Sequence, residues 1–409
     1  MILILEGAIP CNVNCKYCYQ NPYRDRLSYN YDLDAVLATA RRLYNKQKDL
    51  IALHGGEPLT LPFKDIERIL HESYELQGHS AINTNGLLIN DDFIKLFKRY
   101  KTSVALSIDG FYPENRLRNY PDDGDKCKQS TIQAIKNIEL LHSEGIPVAL
   151  MVVLHKYNAT GKGLNRLIEF LSYMRREYGI YTVKLNHLKA VTNDTKAYML
   201  TPEELFNAWK LLAKLTVLSY ETEYDPLWMF LGNLWGSKPP DDCYMSMCDP
   251  FHTERAKRIL GDGRVANCSC IEPFVGTTLQ TEEPSYERYM VLQKIPISRG
   301  GCKGCRYWNI CYGGCSGSST DWRERDEYCH TFYSIYRFLE ANIRSFEPVF
   351  KENFKLAVDE PAMRIEDRPV HRTIKKWYRD NIHRDTTING IRQIEYPDHI
   401  EVIYNGRSG

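Results

Sequence analysis

The chain has 409 residues, enough for two or three domains and a large core. A net charge of +1 gives no global field to recruit nucleic acid. A hydrophobic content of 43%, with no repeat or low-complexity tract, describes a globular protein. The longest apolar run, near 146–154, is too short to span a bilayer, so no membrane partner is expected.

Residues 2–7, Ile-Leu-Ile-Leu-Glu-Gly, read as a buried strand. Further strands are predicted at 50–54, 80–84, 103–108, 147–154 and 181–187. Helical patterns lie between them at 33–46, 64–76, 92–99, 129–144 and 163–177. This alternation predicts an α/β fold with a parallel sheet and crossover helices. In parallel barrels the chemistry sits at the C-terminal ends of the strands. The motifs of this chain fall there.

After the first strand comes Cys11-Asn-Val-Asn-Cys15-Lys-Tyr17-Cys18, a C-x3-C-x2-C spacing. Three thiolates this close can hold three irons of a [4Fe–4S] cluster and leave the fourth open. Zinc sites prefer paired C-x2-C units closed by four ligands. After the second strand comes His54-Gly55-Gly56-Glu57-Pro58. Glycines let a backbone approach a ligand closely, and a carboxylate accepts from an ammonium group. Asn83-Thr84-Asn85-Gly86 follows the third strand, and Ser107-Ile108-Asp109-Gly110 the fourth.

This set of motifs resembles the radical S-adenosylmethionine (SAM) superfamily. The resemblance implies a partial (β/α)6 barrel whose open iron chelates SAM. There, cluster reduction cleaves SAM to a 5′-deoxyadenosyl radical. It further implies that Gly55, Gly56, Glu57 and Pro58 hold the SAM amino group. Asn85, Ser107 and Asp109 belong to matching segments, with Ser107 reaching SAM. Arg118 is placed to pair with the SAM carboxylate, although Arg116 is close by. Tyr17 matches the aromatic position that packs on adenine. Leu188, ending the sixth strand, is a candidate for the adenosine pocket or for plain core.

Nine of the ten remaining cysteines lie between 243 and 329. Their pattern is Cys243-x4-Cys248-x14-Gly263-x4-Cys268, then Cys302-x2-Cys305-x5-Cys311-x3-Cys315-x13-Cys329. This matches the SPASM domain, a cysteine-rich extension of radical SAM enzymes that mature peptides and proteins. The match implies two auxiliary [4Fe–4S] clusters, three in all. Cys302, Cys305, Cys311 and Cys329 would hold the outer one. Cys248, Cys268 and Cys315 would hold the inner one, either with Cys243 as its fourth ligand or, without it, with an open iron for substrate. Cys127 and Cys270 are left over and read as small buried hydrophobes. Disulfides are the rival account of the array, but only ten residues precede Cys11, too few for a signal peptide. A reduced, cytoplasmic protein is the expectation.

The expected domains are a barrel at 1–190, a helical linker at 191–240, SPASM at 241–346 and an extension at 347–409. The linker helix should start at Thr201-Pro202-Glu203-Glu204 and run to about 219. A helix near 327–346 should close the SPASM part. In the extension, 390–405 alternates weakly and suggests a hairpin around Tyr396-Pro397-Asp398-His399; His371, His383 and His399 read as surface residues.

The resemblance implies a peptide maturase that oxidatively crosslinks side chains of a ribosomal precursor. Protein maturation of the sulfatase or dehydrogenase-activating type, peptide epimerisation and small-molecule dehydrogenation are the alternatives, with a non-catalytic iron–sulfur carrier behind them. Sulfatase maturases carry an Asp directly after the cysteine matching Cys268; here Ser269, a poor base, takes that position. A winged-helix leader-recognition domain has no room before Cys11. Leader binding would then fall to a stand-alone protein, the tail or the barrel. A flavodoxin or ferredoxin-type protein is the expected reductant.

Overall fold

The computed structural model describes residues 2–6, 9–22, 29–46, 49–190, 192–219, 223–234, 248–253, 255–271, 279–319 and 321–342, with strands at 385–388, 391–395, 400–404 and 407–408. Cys243, the tail histidines and the expected hairpin tip lie outside them. The chain divides into two compact units. One takes Met1–Leu227 and Ala256–Pro273, the other Trp228–Arg255 and Thr281–Gly409.

The first unit is the expected α/β sheet, with a seventh parallel strand beyond the six predicted. Its strands are β1 (Ile2–Ile4), β2 (Ile51–Leu53), β3 (Ser80–Thr84), β4 (Thr102–Ser107), β5 (Val148–Leu154), β6 (Thr182–His187) and β7 (Glu223–Asp225). Each pairs in parallel with the next. The crossovers are α1 (Leu33–Leu43), α2 (Phe63–Gln77), α3 (Asp91–Arg99), α4 (Gly124–Ser143), the short α5 (Lys156–Ala159), α6 (Gly161–Tyr178) and α7 (Pro202–Ser219). Local chemistry explains the helix starts. Asn90 Oδ1 accepts from the Asp92 and Phe93 N–H groups at 3.1 Å and opens α3, which buries Phe93, Ile94, Leu96 and Phe97 on one face. Thr201 and Glu204 exchange side-chain and backbone hydrogen bonds at 3.2 and 2.7 Å, a capping box that opens α7 where expected. The fourth helix starts at Gly124 rather than 129, because Asp123 caps it through the Lys126 N–H at 3.0 Å.

Two further strands extend the sheet beyond β1. β8 (Lys257–Ile259) runs parallel to β1, and β9 (Val265–Ala266) antiparallel to β8. The sheet therefore has nine strands in the order β7-β6-β5-β4-β3-β2-β1-β8-β9. This edge brings residues just before Cys268 beside the strand that leads into Cys11.

The second unit holds α8 (Leu227–Leu234), α9 (Glu287–Lys294), α10 (Trp308–Cys311) and α11 (Cys329–Ala341). Phe230 packs on Phe332 and Tyr336, with ring centroids 6.0 and 5.3 Å apart. Arg288, fully buried, donates to the carbonyls of Gly313, Gly314 and Glu324 at 2.9–3.1 Å. The C-terminal strands β10 (Asp385–Ile388), β11 (Ile391–Glu395), β12 (Ile400–Tyr404) and β13 (Arg407–Ser408) form an antiparallel sheet, in which β11 and β12 are the expected hairpin.

Candidate active site

The first cysteine loop is pinned from several sides. Asn14 N–H donates to the Asn119 carbonyl at 2.7 Å, and Lys16 N–H to that of Leu117 at 2.8 Å. Asn119 N–H in turn points at Cys15 Sγ, 3.2 Å away. Asn21 Nδ2 bridges the carbonyls of Cys15 and Lys16 at 3.1 and 3.2 Å. Burial pushes the Cys11 thiol up to about 12, and the neighbouring Cys15 and Cys18 add to the rise. Burial also raises Cys15, against the pull of Arg118 and the Asn119 N–H. Iron takes the place of the thiol proton, so adjacent buried thiols of this kind fit a cationic occupant. Among the described residues no His, Cys, Asp and Glu groups converge as one metal ion requires. A four-iron cluster asks for something different, one thiolate on each iron.

The Gly-Gly-Glu-Pro turn lies directly against that loop. A Cβ on Gly56 would sit 2.4 Å from the Pro10 carbonyl oxygen, so only glycine allows the two backbones to approach. Glu57 N–H donates to the same carbonyl at 3.0 Å. The Glu57 carboxylate is buried and engaged on both oxygens. Oε1 accepts from Leu59 N–H at 3.1 Å and from Thr84 Oγ1 at 2.7 Å; Oε2 accepts from Asn85 N–H at 2.7 Å. Burial raises its pKa despite these bonds. Asn85 Nδ2 reaches Asn12 Oδ1 at 2.8 Å, which ties the end of β3 to the cysteine loop.

Asp109 organises the end of β4. It is fully buried, and its Oδ1 accepts from Val153 N–H at 2.8 Å. Its Oδ2 accepts from the Tyr17 hydroxyl and faces Arg118 Nε at 3.4 Å and His155 Nε2 at 3.8 Å. Burial alone would raise its pKa, but Arg118, with His155 and Tyr17, holds the carboxyl below its ordinary value. The Arg118 guanidinium lies 5.6 Å from the Tyr17 ring centroid. Arg116, the rival, is exposed and stacks on Tyr157 at 4.3 Å. Ser107, half-buried at the end of β4, makes no side-chain hydrogen bond among the described residues. Pro58 opens a short turn beside Glu57, and Leu188 is 1% exposed in the core.

In the second unit the thiols of Cys302, Cys305, Cys311 and Cys329 are electrostatic neighbours. Burial pushes Cys302 up to about 12, with Cys329 and Cys305 adding to it. Burial likewise raises Cys311, and Cys329, Cys302 and Cys305 contribute. Gly313 and Gly314, at φ +78° and +71°, make the turn between Cys311 and Cys315. Cys315 N–H is held by Asp326 Oδ2 at 3.0 Å. Cys248 and Cys315 belong to this unit, Cys268 to the first. Cys270 is Cys268's hydrogen-bond partner; that contact, with Lys189 and Arg258, lowers its thiol to about 6. Cys127 is buried, its thiol directed at the Asn115 and Arg118 carbonyls.

One group escaped the sequence reading. Glu6 is 3% exposed, and its Oε1 accepts from Tyr19 Oη at 2.5 Å and Ser269 Oγ at 2.8 Å. The available signal was a lone charge in the apolar run before the cysteines.

The family model of the radical SAM superfamily matches residues 10–162, the span that carries the cysteine loop and the turns after β2, β3 and β4. The uncharacterized protein MJ0907 of Methanocaldococcus jannaschii is 33% identical over 218 residues, 52% of this chain and 70% of that protein. This chain belongs to the radical SAM superfamily. The chain is also 30% identical over 156 residues to the serine-type anaerobic sulfatase-maturating enzyme of Klebsiella aerogenes, covering 36% of this chain and 37% of that enzyme. Two solved structures share the fold. One is anSMEcpe with bound AdoMet and Cp18Cys peptide, with a TM-score of 0.64, 17% identity, and coverage of 86% of this chain and 99% of that one. The other is Streptococcus suis SuiB bound to precursor peptide SuiA, with a TM-score of 0.51, 17% identity, and coverage of 80% and 75%. Membership implies a [4Fe–4S] cluster and SAM, which when bound supply a 5′-deoxyadenosyl radical. No helix among the described residues is long and apolar enough to cross a membrane.

Proposed function

We propose that this radical SAM enzyme is a cytoplasmic peptide maturase that oxidatively crosslinks side chains of a ribosomally made precursor. Cys11, Cys15 and Cys18 hold the SAM-binding cluster. Gly55, Gly56, Pro58, Ser107, Tyr17 and Leu188 surround SAM, while Glu57, Asn85, Asp109 and Arg118 fix the backbone and side chains around it. Cys302, Cys305, Cys311 and Cys329 hold an outer auxiliary cluster. Cys248, Cys268, Cys315 and Cys243 hold an inner one. A flavodoxin or ferredoxin supplies electrons, and leader binding falls to a separate small protein or to the chain itself.

The observation that supports this reading is that Cys302, Cys311 and Cys329 of the second unit are each raised by burial and by neighbouring thiols of the set Cys302, Cys305, Cys311 and Cys329. Four thiolates close a cluster fully, which suits electron transfer rather than SAM binding. A radical source with an electron acceptor performs a net two-electron oxidation. The structural neighbours solved with bound peptides support a peptide as the substrate.

Maturation of a sulfatase is the second reading, favoured by the Klebsiella relative. Ser269 counts against it only in that the residue directly after Cys268 is not the Asp that sulfatase maturases carry there. The deciding experiment is anaerobic incubation of the reconstituted enzyme with SAM, reductant and the peptide encoded beside its gene. Mass spectrometry should find a peptide lighter by two hydrogens. An unaltered peptide, together with formylglycine in a sulfatase peptide, would replace the first reading by the second.

A further inference from the structure

Glu6 is a buried carboxylate held by polar partners at the end of the apolar run. A buried carboxylate costs several kcal/mol unless it is paired and hydrogen-bonded. Glu6 interrupts the run Ile2-Leu3-Ile4-Leu5, where an apolar residue would serve a sheet edge better. It follows β1, at the end of the parallel sheet where this architecture does its chemistry. Two hydroxyls donate to one of its oxygens, Tyr19 Oη at 2.5 Å and Ser269 Oγ at 2.8 Å.

The positions of those hydroxyls matter. Tyr19 follows Cys18, a proposed ligand of the radical cluster; Ser269 follows Cys268, a proposed ligand of the inner auxiliary cluster. Glu6 therefore joins the two cluster loops through two exchangeable protons. The charged and titratable groups facing it are His54 after β2, Arg258 on β8, Tyr19 and Cys270. His54 and Arg258 favour its ionised form, the form able to take a proton.

We infer that Glu6 is the proton acceptor of the oxidation, reached through the hydroxyls of Tyr19 and Ser269. This rests on the reading of the chain as a peptide-oxidising enzyme. In forming a crosslink, a C–H bond and an X–H bond of the peptide break and a C–X bond forms. The hydrogen atom from carbon goes to the 5′-deoxyadenosyl radical. The X–H proton passes to a hydroxyl as that hydroxyl's own proton moves to Glu6. The remaining electron goes to an oxidised iron–sulfur cluster. One hydrogen atom, one proton and one electron account for the two hydrogens lost.

The test compares wild type, Glu6→Gln and Glu6→Asp, all reconstituted anaerobically. The readout is the ratio of crosslinked peptide to 5′-deoxyadenosine across a pH series. Glu6→Gln should lower that ratio by about 100-fold or more, the scale of a lost general base. Its product should also stay level at acid pH, where protonation of Glu6 is expected to lower the wild-type yield. Glu6→Asp keeps the carboxylate and should recover part of the ratio together with the acid decline. Should the Gln protein fail to fold, Tyr19→Phe and Ser269→Ala replace it: each alone should keep part of the ratio, and the double variant should lose it. A wild-type ratio in Glu6→Gln, or in the double variant, overturns the assignment while leaving the peptide reading intact. Deoxyadenosine and product falling together would make Glu6 structural and also overturns it. If wild type itself makes no oxidised peptide, the functional reading and this assignment fall together.

Discussion

The Asn85 N–H donates to Glu57 Oε2 at 2.7 Å across 28 residues of sequence. With Thr84 and Leu59 on the other oxygen, the carboxylate spans the turns after β2 and β3. A carboxylate has about four acceptor sites, so one remains for a ligand ammonium, but most of its capacity holds backbone. Glu57→Gln keeps the volume and loses acceptors. SAM affinity should fall about tenfold, the value of one charge-assisted hydrogen bond, while the iron content of the first cluster holds. Isothermal titration with SAM checks this; unchanged affinity would reduce the segment to an ordinary turn.

Asp109 and Arg118 predict an acid-sensitive fold. Asp109→Asn leaves a buried guanidinium without its partner charge, which should cost roughly 3–5 kcal/mol in urea denaturation. The pH dependence follows from the direction of the shift. The folded carboxyl titrates below the ordinary 3.8, because Arg118, His155 and Tyr17 outweigh burial. Its stabilisation is therefore complete above 3.8 and lost as pH falls through the folded value. The stability gap between wild type and Asp109→Asn should be constant near neutrality and close at acid pH. A gap that widens on acidification would contradict the ion pair.

The two glycines of the motif should differ. A Cβ on Gly56 meets backbone, the Pro10 carbonyl oxygen at 2.4 Å and that of Ile9 at 2.5 Å. A Cβ on Gly55 meets the Ile9 side chain at 2.4 Å, which can swing aside. Gly56→Ala should cost about 1–3 kcal/mol and loosen the cysteine loop, and Gly55→Ala less. Differential scanning calorimetry with iron analysis separates them; equal effects would show that the contact with Pro10 does not set the loop.

Much of the barrel was legible because its elements are long and periodic. Helix α3 shows the cap, the apolar face and the basic last turn in nine residues. The cysteine spacings could be read as ligand sets because a cluster requires fixed ligand separation through bond geometry. What escaped depends on tertiary contact. β8 and β9 have three and two residues, too few for alternation to register, yet they extend the sheet. That Arg118 is buried against Asp109 while Arg116 is exposed could not be read from their positions in the sequence. Glu6 read as part of a strand, since its partners Tyr19 and Ser269 lie 13 and 263 residues away.

Iron content tests the thiol sets directly. Three four-iron clusters should give about twelve irons per chain after anaerobic reconstitution. The Cys11/Cys15/Cys18→Ala variant should keep about eight irons and lose all SAM cleavage. A Cys302/Cys305/Cys311→Ala variant should also fall to about eight, yet retain cleavage at the first cluster. Reductive cleavage surviving in the first variant would sink the assignment of the radical site.

Electron removal gives the last prediction. SAM bound at the first cluster would supply a radical that takes one hydrogen atom, which would leave the substrate one electron short of a closed bond. A nearby oxidised cluster can take the second electron. Cys315 lies in sequence within the outer-cluster run, four residues after Cys311 on the turn that Gly313 and Gly314 allow. Asp326 fixes that turn, holding Cys315 N–H through its carboxylate and donating its own N–H to the Gly313 carbonyl at 2.8 Å. Under the proposed ligand sets, a ligand held in this way would link the inner cluster to the outer one. Replacing Cys268 or Cys315 by Ala should therefore stop crosslinking while 5′-deoxyadenosine still forms. Tandem mass spectrometry and chromatography of the same reaction read both products. A product of unchanged mass, or one carrying a single solvent deuterium when made in heavy water, would mean that the substrate radical is quenched by a hydrogen atom instead of oxidised. The chemistry would then be epimerisation, and the auxiliary thiols would serve another purpose.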